Sequence, residues 1–257
     1  MRPFINWSIR STLVKKGISQ SHMSTGLRYW AVIPAAGVGT RMQADVPKQY
    51  LSINHKTILE HTLERFCSHP MIEGVVVAIA GNDDIWESLE IASHPKITVV
   101  EGGVERCHSV LNGLRALSDL ASSSDWVLVH DAARPCLRTE DIDRLIETVG
   151  KHDVGGLLGL PVRDTMKRAD NTGTIEETVD RECLWHALTP QMFRLDRLVE
   201  SLEKVLSKGL IVTDEAQAIE LNGLQAVLVE GHPDNIKITR NNDLALAELF
   251  LSQQESD

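Results

Sequence analysis

An α/β fold with a doubly wound, mainly parallel sheet is the class this sequence predicts, and three observations carry the expectation. The runs GVVVAIA at 74–80 and WVLVH at 126–130 contain no Asp, Glu, Lys or Arg and are rich in β-branched residues. Such runs mark strands covered on both faces, as in parallel sheets. Segments of helical pattern alternate with them, and a loop of small residues follows the first strand, where open α/β sheets bind their ligands.

Taken in order, residues 29–33 form the first strand and lead into Ala35, Ala36, Gly37 and Gly39. Thr57-Ile-Leu-Glu60 fits a capping box, with Thr57 covering a free amide and Glu60 reaching back, so a helix to about residue 68 follows. Residues 74–80 are a buried strand, 84–92 a helix, and 97–100 a short strand ending at Gly102-Gly103. A helical pattern covers 106–120, the strand 126–130 carries Asp131-Ala-Ala-Arg-Pro135 at its carboxyl end, and a helix at 139–151 precedes a strand at 155–160. These five alternations predict the fold class.

Residues 161–190 break the rhythm. Asp164-Thr-Met-Lys-Arg168, a turn at Asp170-Asn-Thr-Gly173 and the stretch 174–179 predict a projecting two-stranded arm, spanning about 161–186. A lone hairpin is marginally stable in water, so the arm is expected to pack against a second subunit. Helices at 194–206 and 215–221, a strand at 225–229, an extended piece at 235–239 and a terminal helix at 241–251 complete the chain. The terminal helix carries Leu244, Leu246, Ala247, Leu249 and Phe250, a stripe suited to core or subunit packing.

A chain of 257 residues that is 42% apolar can build one large domain, expected over 28–253. No apolar run approaches the ~20 residues that cross a bilayer. The four cysteines, Cys67, Cys107, Cys136 and Cys183, form no Cys-x-x-Cys pair and read as reduced thiols of a cytoplasmic protein. A net charge of −10 disfavours sequence-independent nucleic-acid binding. Residues 1–27 contain no Asp or Glu and carry Arg2, Arg10, Lys15 and Lys16 among many Ser and Thr. That composition reads as a disordered extension, with an organelle transit peptide as the alternative.

The chemistry starts at the small-residue loop. Gly37 and Gly39 lack a Cβ, so the backbone can turn its amides together into an anion nest, and Arg41 and Lys48 stand beside it in the sequence. A dinucleotide fingerprint requires a third glycine where Met42 stands, and no Gly-Lys-Ser/Thr closes the turn as a P-loop requires. A triphosphate cradle of another kind remains. Further along, Ser109, Asp131, Arg134 and Lys237 stand near predicted sheet ends, although singly Asp131 with Arg134 reads as a structural ion pair and Lys237 as a solvated lysine. No Ser-His-Asp, Cys-His or HExxH arrangement occurs, which suits a transfer that proceeds by positioning and charge stabilisation.

The string Pro34-Ala-Ala-Gly-Val-Gly-Thr-Arg-Met42 with Pro47-Lys-Gln-Tyr50 resembles the sugar-nucleotide pyrophosphorylases, and in detail the 2-C-methyl-D-erythritol 4-phosphate cytidylyltransferase family. Six further motifs of that family recur in order: GGVERCHSV from Gly102, HDAARP from His130, PVRDT from Pro161, LTPQ from Leu188, TDE from Thr213 and NIKIT from Asn235. The resemblance implies a Rossmann-like nucleotidyltransferase that converts CTP and 2-C-methyl-D-erythritol 4-phosphate to the cytidine diphosphate product and pyrophosphate, with magnesium, in isoprenoid precursor synthesis. By position, Arg41 and Lys48 would stabilise the transition state and leaving pyrophosphate, and Lys237 the α-phosphate. Ala35, Ala36 and Gly37 would offer backbone contacts to the nucleotide, and Gly103, Val104 and Ser109 would line the cytosine, Val104 by its main chain. Asp131 would hold the ribose side or the metal. Arg134, Thr189 and Thr213 would form the sugar-phosphate pocket, while Thr165 and Arg181 would reach the neighbouring subunit's site, implying a homodimer. Alternatives are the sister family that uses ribitol 5-phosphate and a non-catalytic nucleotide-binding protein. Some relatives carry a downstream cyclase, for which this chain is expected to be too short.

Overall fold

The computed structural model describes residues 26–37 and 46–256. The chain runs β1 (Tyr29–Pro34), β2 (Ser52–Ile53), β3 (Lys56–Thr57), α1 (Ile58–Cys67), β4 (Ile72–Ile79), β5 (Ile97–Glu101), α2 (Arg106–Leu117), β6 (Trp126–Val129) and α3 (Thr139–Val149). It continues with β7 (Gly155–Pro161), β8 (Met166–Ala169), β9 (Ile175–Val179), β10 (Trp185–Arg194), α4 (Leu195–Leu206), α5 (Glu215–Glu220), β11 (Val227–Glu230) and α6 (Asn241–Gln254).

Alternation within the apolar runs sets the layers. In β1, Ala31 and Ile33 face one way and Trp30 and Val32 the other, and all four are buried. Val75 and Val77 of β4 join the first face and Val76 the second. The first face is covered by α1 through Leu59, Leu63 and Phe66 and by α3 through Ile142, Leu145 and Val149. The second is covered by α2 and α4, with Val110, Leu114, Leu198 and Leu202. Covering both faces is what allows the strands to be apolar throughout. The predicted capping box opens α1: Thr57 Oγ1 accepts from the Glu60 amide at 3.1 Å and a Glu60 carboxylate oxygen accepts from the Thr57 amide at 2.8 Å.

The sheet has seven strands in the order β11-β7-β10-β6-β1-β4-β5. Neighbours are parallel except where β10 runs antiparallel to β6 and β7. The doubly wound, mainly parallel expectation holds, with one reversed strand. Because β10 is reversed, its first residues lie at the edge where β1, β4, β5, β6, β7 and β11 end. That edge collects the loops from every strand, and the order turns at β1, which has β4 on one side and β6 on the other.

Three elements depart from the sequence expectations, at 185–194, 84–92 and the terminal helix. Residues 185–194, of which only the first two fell within the expected arm, form a central strand of the sheet that the sequence reading did not anticipate, and Pro190 is the reason the pattern hides it. Proline is excluded from a regular ladder, but here the register breaks between Ala187 and Gln191, around a cis Thr189–Pro190 bond. Residues 84–92 make two short 3-10 turns, Trp86–Ser88 and Glu90–Ser93, instead of a helix. Asp83 Oδ1 accepts from the amides of Ile85 and Trp86, each at 3.1 Å, and caps the first turn, but Leu89 is extended, with φ −79° and ψ 137°, and ends it. Residues 235–239, expected as an extended piece, pair in no strand and so do not contradict that reading; they are pinned by the bond from the Ile238 amide to Ala133 O at 2.9 Å. In α6, Ala247 and Leu251 are buried, whereas Leu246 and Leu249 of the expected stripe face solvent.

The arm is present. β8 and β9 pair only with each other, through a turn in which Gly173 takes a φ of 86° and Asp170 Oδ1 accepts from the Thr172 and Thr174 amides. Ile175 on it is 61% exposed. Among the described residues, no helix is long and apolar enough to cross a membrane.

One buried chain of hydrogen bonds ties β10 to β6 at the loop-bearing edge. His130 Nε2 lies 3.0 Å from Arg134 O, and since a carbonyl only accepts, Nε2 carries the proton. Nδ1 then accepts from Thr189 Oγ1 at 2.9 Å, and that hydroxyl accepts from the Asp131 amide at 3.2 Å. Burial pushes the His130 imidazole down to about 4, against an ordinary value of 6.5. As pH falls through that window the unfolded chain takes up a proton that the folded chain refuses, so stability is lost. We expect a loss on the order of 3 kcal/mol between pH 7 and pH 4 from this residue. Urea unfolding at both pH values checks it, because H130Q should lose less stability than the wild type over the same interval.

Candidate active site

Gln49 shapes the loop that follows β1. It sits in the 3-10 turn Lys48–Tyr50, is 4% exposed, and its side-chain amide donates to Ala35 O at 2.7 Å and Gly37 O at 3.1 Å. In a trans peptide the N–H points opposite to the carbonyl before it. Holding the Ala35 carbonyl therefore turns the Ala36 N–H to the other side, away from Gln49. Tyr50 locks the same turn by donating to Asp83 Oδ2 at 2.5 Å.

Across from this loop, Gly102 and Gly103 leave the end of β5. A side chain on Gly102 would collide with Ala36, so glycine here lets the two loops close on each other. Ser109 on α2 accepts the Gly103 amide at 3.0 Å and fixes that turn. Val104 beside it is 95% exposed and forms an apolar rim.

Between the loops lies a cavity of about 420 Å³, bordered by the ends of β1, β5 and β6 and by residues 237 and 239. Its electrostatics centre on Asp131, which is 7% exposed. Arg106 Nε donates to Oδ1 at 2.8 Å, Lys237 Nζ reaches Oδ2 at 2.8 Å, and Arg134 Nε stands 3.7 Å from Oδ2. Burial alone would raise the Asp131 carboxyl, but Arg106, then Lys237 and Arg134, outweigh it and hold the group well below the usual carboxylate range. Arg106 also forks onto Glu215, with Nη1–Oε1 at 2.7 Å and Nη2–Oε2 at 3.0 Å. Lys48 Nζ donates to Ile238 O at 3.2 Å, so the segment carrying Lys237 also anchors Lys48. Three cations, Arg106, Arg134 and Lys237, thus face two carboxylates, Asp131 and Glu215; Lys48 and Glu105 at the rim add one charge of each sign, so among the described residues four cations stand against three carboxylates. The surplus suits an anion.

Nine of the sequence-predicted site residues line this cavity: Ala35, Ala36, Gly37, Lys48, Gly103, Val104, Ser109, Asp131 and Lys237. Arg41 lies outside the described residues. Arg134 and Thr189 are buried behind the cavity wall, Arg134 donating to Asn235 O at 2.6 Å and Thr189 in the His130 chain. Thr213 is exposed ahead of α5, where its amide donates to Gln217. Thr165 and Arg181 stand at the exposed base of the arm, with Arg181 donating to Arg163 O, and neither borders the cavity within this chain. Reasoning from residues had passed over Gln49, Arg106 and Glu215. All three sit inside motifs that were read, PKQY, GGVER and TDE, so the position of Arg106 just after a glycine pair was the available signal.

Among the described residues, the carboxylates bordering the cavity are Glu105 and Asp131, and no group of three or more metal-ligating side chains occurs. That donor set fits a hard cation held largely by phosphate oxygens and water, as magnesium commonly is.

Comparison with known proteins shows the family. The family model IspD, 2-C-methyl-D-erythritol 4-phosphate cytidylyltransferase, covers residues 29–253. A 2-C-methyl-D-erythritol 4-phosphate cytidylyltransferase of Vibrio vulnificus (strain CMCP6) is 56% identical over 225 residues, 88% of this chain and 95% of the relative. A crystallised 4-diphosphocytidyl-2C-methyl-D-erythritol synthase superposes with a TM-score of 0.77 at 39% identity, covering 88% of this chain and 99% of that one. The Francisella tularensis 2-C-methyl-D-erythritol 4-phosphate cytidylyltransferase gives 0.76 at 38% identity, covering 87% of this chain and 99% of that one. With a cation-bordered cavity of about 420 Å³ at the sheet's turning point and likeness along nearly the whole described chain, the protein belongs to the 2-C-methyl-D-erythritol 4-phosphate cytidylyltransferase family.

Proposed function

We propose that this enzyme transfers the cytidylyl group of CTP to 2-C-methyl-D-erythritol 4-phosphate, releasing pyrophosphate. The observation that carries the reading is the convergence of Lys48, Lys237 and the loop at 35–37 on one cavity. A phosphate oxygen of the acceptor attacks the α-phosphorus, the bond to the bridging oxygen of the β-phosphate breaks, and pyrophosphate departs with that electron pair. Charge builds on the phosphate oxygens during the step, and fixed cations lower its barrier.

Lys237 and Lys48 meet that charge from the segment and turn that pin them, and Arg41 joins them by its place in the sequence. The Ala36 N–H, turned away from Gln49, serves the nucleotide phosphates, while Gly103, Val104 and Ser109 border the base. Asp131 would hold the ribose side or a magnesium ion brought in with the nucleotide. When bound, that ion supplies positive charge to the phosphate oxygens. Arg134 and Thr189 support the acceptor side from behind the wall, and Thr213 lies at its outer margin.

Pyrophosphate release from CTP tests the reading directly. Release is expected with methylerythritol phosphate and to stop when a chelator removes divalent cations. Release with ribitol 5-phosphate in its place assigns the sister activity, and CTP binding without release with either acceptor assigns a binding protein. Lys48→Ala should slow turnover by about 10²–10³-fold, as for loss of one preorganised charge at a transition state. Unchanged turnover removes Lys48 from the reaction.

We also propose that the exposed arm packs on a second copy and brings Thr165 and Arg181 to that copy's acceptor site. Mixing the impaired variants R181A and K48A, then allowing subunits to exchange, should raise activity well above that of either alone. A monomer in sedimentation, or no recovery on mixing, overturns the shared site.

A further inference from the structure

Glu215 is 0% exposed, does not border the cavity, and spends both carboxylate oxygens on Arg106. Its backbone is fixed to the sheet. Gln191 of β10 accepts from the Ala216 amide at 2.8 Å and donates to Asp214 Oδ2 at 3.0 Å, and Asp214 Oδ1 accepts from the Gln217 amide at 2.9 Å. A buried carboxylate is stable only when paired and hydrogen-bonded in full, and the planar guanidinium meets that demand in a single orientation. Once Nη1 and Nη2 lie along Glu215, the direction of the Nε–H is set. It points to Asp131 Oδ1 at 2.8 Å. With Oδ1 held, the Asp131 carboxylate cannot rotate freely, and its other oxygen is left on the side of Lys237.

We propose that Arg106 is a positioning residue, oriented by Glu215, that fixes the Asp131 carboxylate and presents Oδ2 to the Lys237 side of the cavity. The inference rests on reading the cavity as the nucleotide site. It links three chain segments through one guanidinium: the start of α2, the end of β6 and the start of α5. A lysine at 106 would keep the charge but lose the fork, and with it the orientation.

A double-mutant cycle between Glu215→Gln and Asp131→Asn tests it, because the two side chains are joined through Arg106. Glu215→Gln should lower kcat/KM for CTP by roughly 10–100-fold, as for residues that orient a ligating side chain. In the D131N background the same change should cost little. An equal loss in both backgrounds overturns the proposal. If E215Q does not fold, R106K takes its place in the cycle under the same criteria. A second readout is independent of substrate: the ¹⁵Nε–H resonance of Arg106 should be slow to exchange in the wild type and exchange faster in E215Q. An unchanged resonance overturns the relay whatever the enzyme's substrate proves to be. Absence of CTP binding by the wild type would instead sink the nucleotide reading, so the two failures are distinguishable.

Discussion

Asp131 is a carboxylate removed almost entirely from water at the end of a central strand, and a charge in that position must be met by cations close by. Arg106, Lys237 and Arg134 meet it, and each comes from a different part of the chain. The requirement organises the edge of the sheet. The segment 235–239 crosses the end of β6 to deliver Lys237, and it is held there by Ala133 and by Lys48. The start of α2 is drawn down to deliver Arg106, and α5 supplies the buried Glu215 that holds Arg106 in turn. A site that binds anions thus contains its own anions, which keep the cations in place.

The reversal of β10 completes this arrangement. A strand parallel to its neighbours would bring its last residues to the ligand edge and carry the chain onward into a helix. Running the other way, β10 brings Thr189 to the Asp131 amide and Gln191 to the start of α5. Two residues on one strand therefore brace both the carboxylate and the helix that controls its guanidinium partner. The break in register between Ala187 and Gln191 places that bracing where the ladder with β7 is interrupted.

Much of the framework was legible because it is written in local pattern. β4 and β6 are apolar runs, the Thr57–Glu60 cap is a four-residue signal, and Asp170 to Gly173 is turn chemistry. β10 was hidden by Pro190, since the rule that bars proline from central strands has its exception at a broken register. The helix expected over 84–92 has a start signal in Asp83, which caps the amides of Ile85 and Trp86, but its first turn stops at the extended Leu89. In the site, the loop and both lysines were legible from composition and motif. The Arg106–Glu215 fork was not, because the partners are 109 residues apart and no periodicity reports such a meeting. Gln49 was passed over for a related reason: a glutamine announces nothing until its amide is seen bridging two carbonyls.

The pairing of β7 with β10 has a practical corollary for anyone who wishes to alter the protein. These strands are antiparallel neighbours, so everything between Pro161 and Trp185 is an overgrown hairpin connection whose ends the main sheet already holds. Its tip at Gly173 has open space around it. Exposed tips of this kind accept insertions, and residues added in even numbers to each of β8 and β9 keep every side chain on its original face, whereas odd numbers invert them. A fluorophore or affinity label inserted in this turn beside Gly173, whose positive φ argues for leaving the glycine itself in place, would sit at the far end of the hairpin from the main sheet and report on whatever the hairpin meets there.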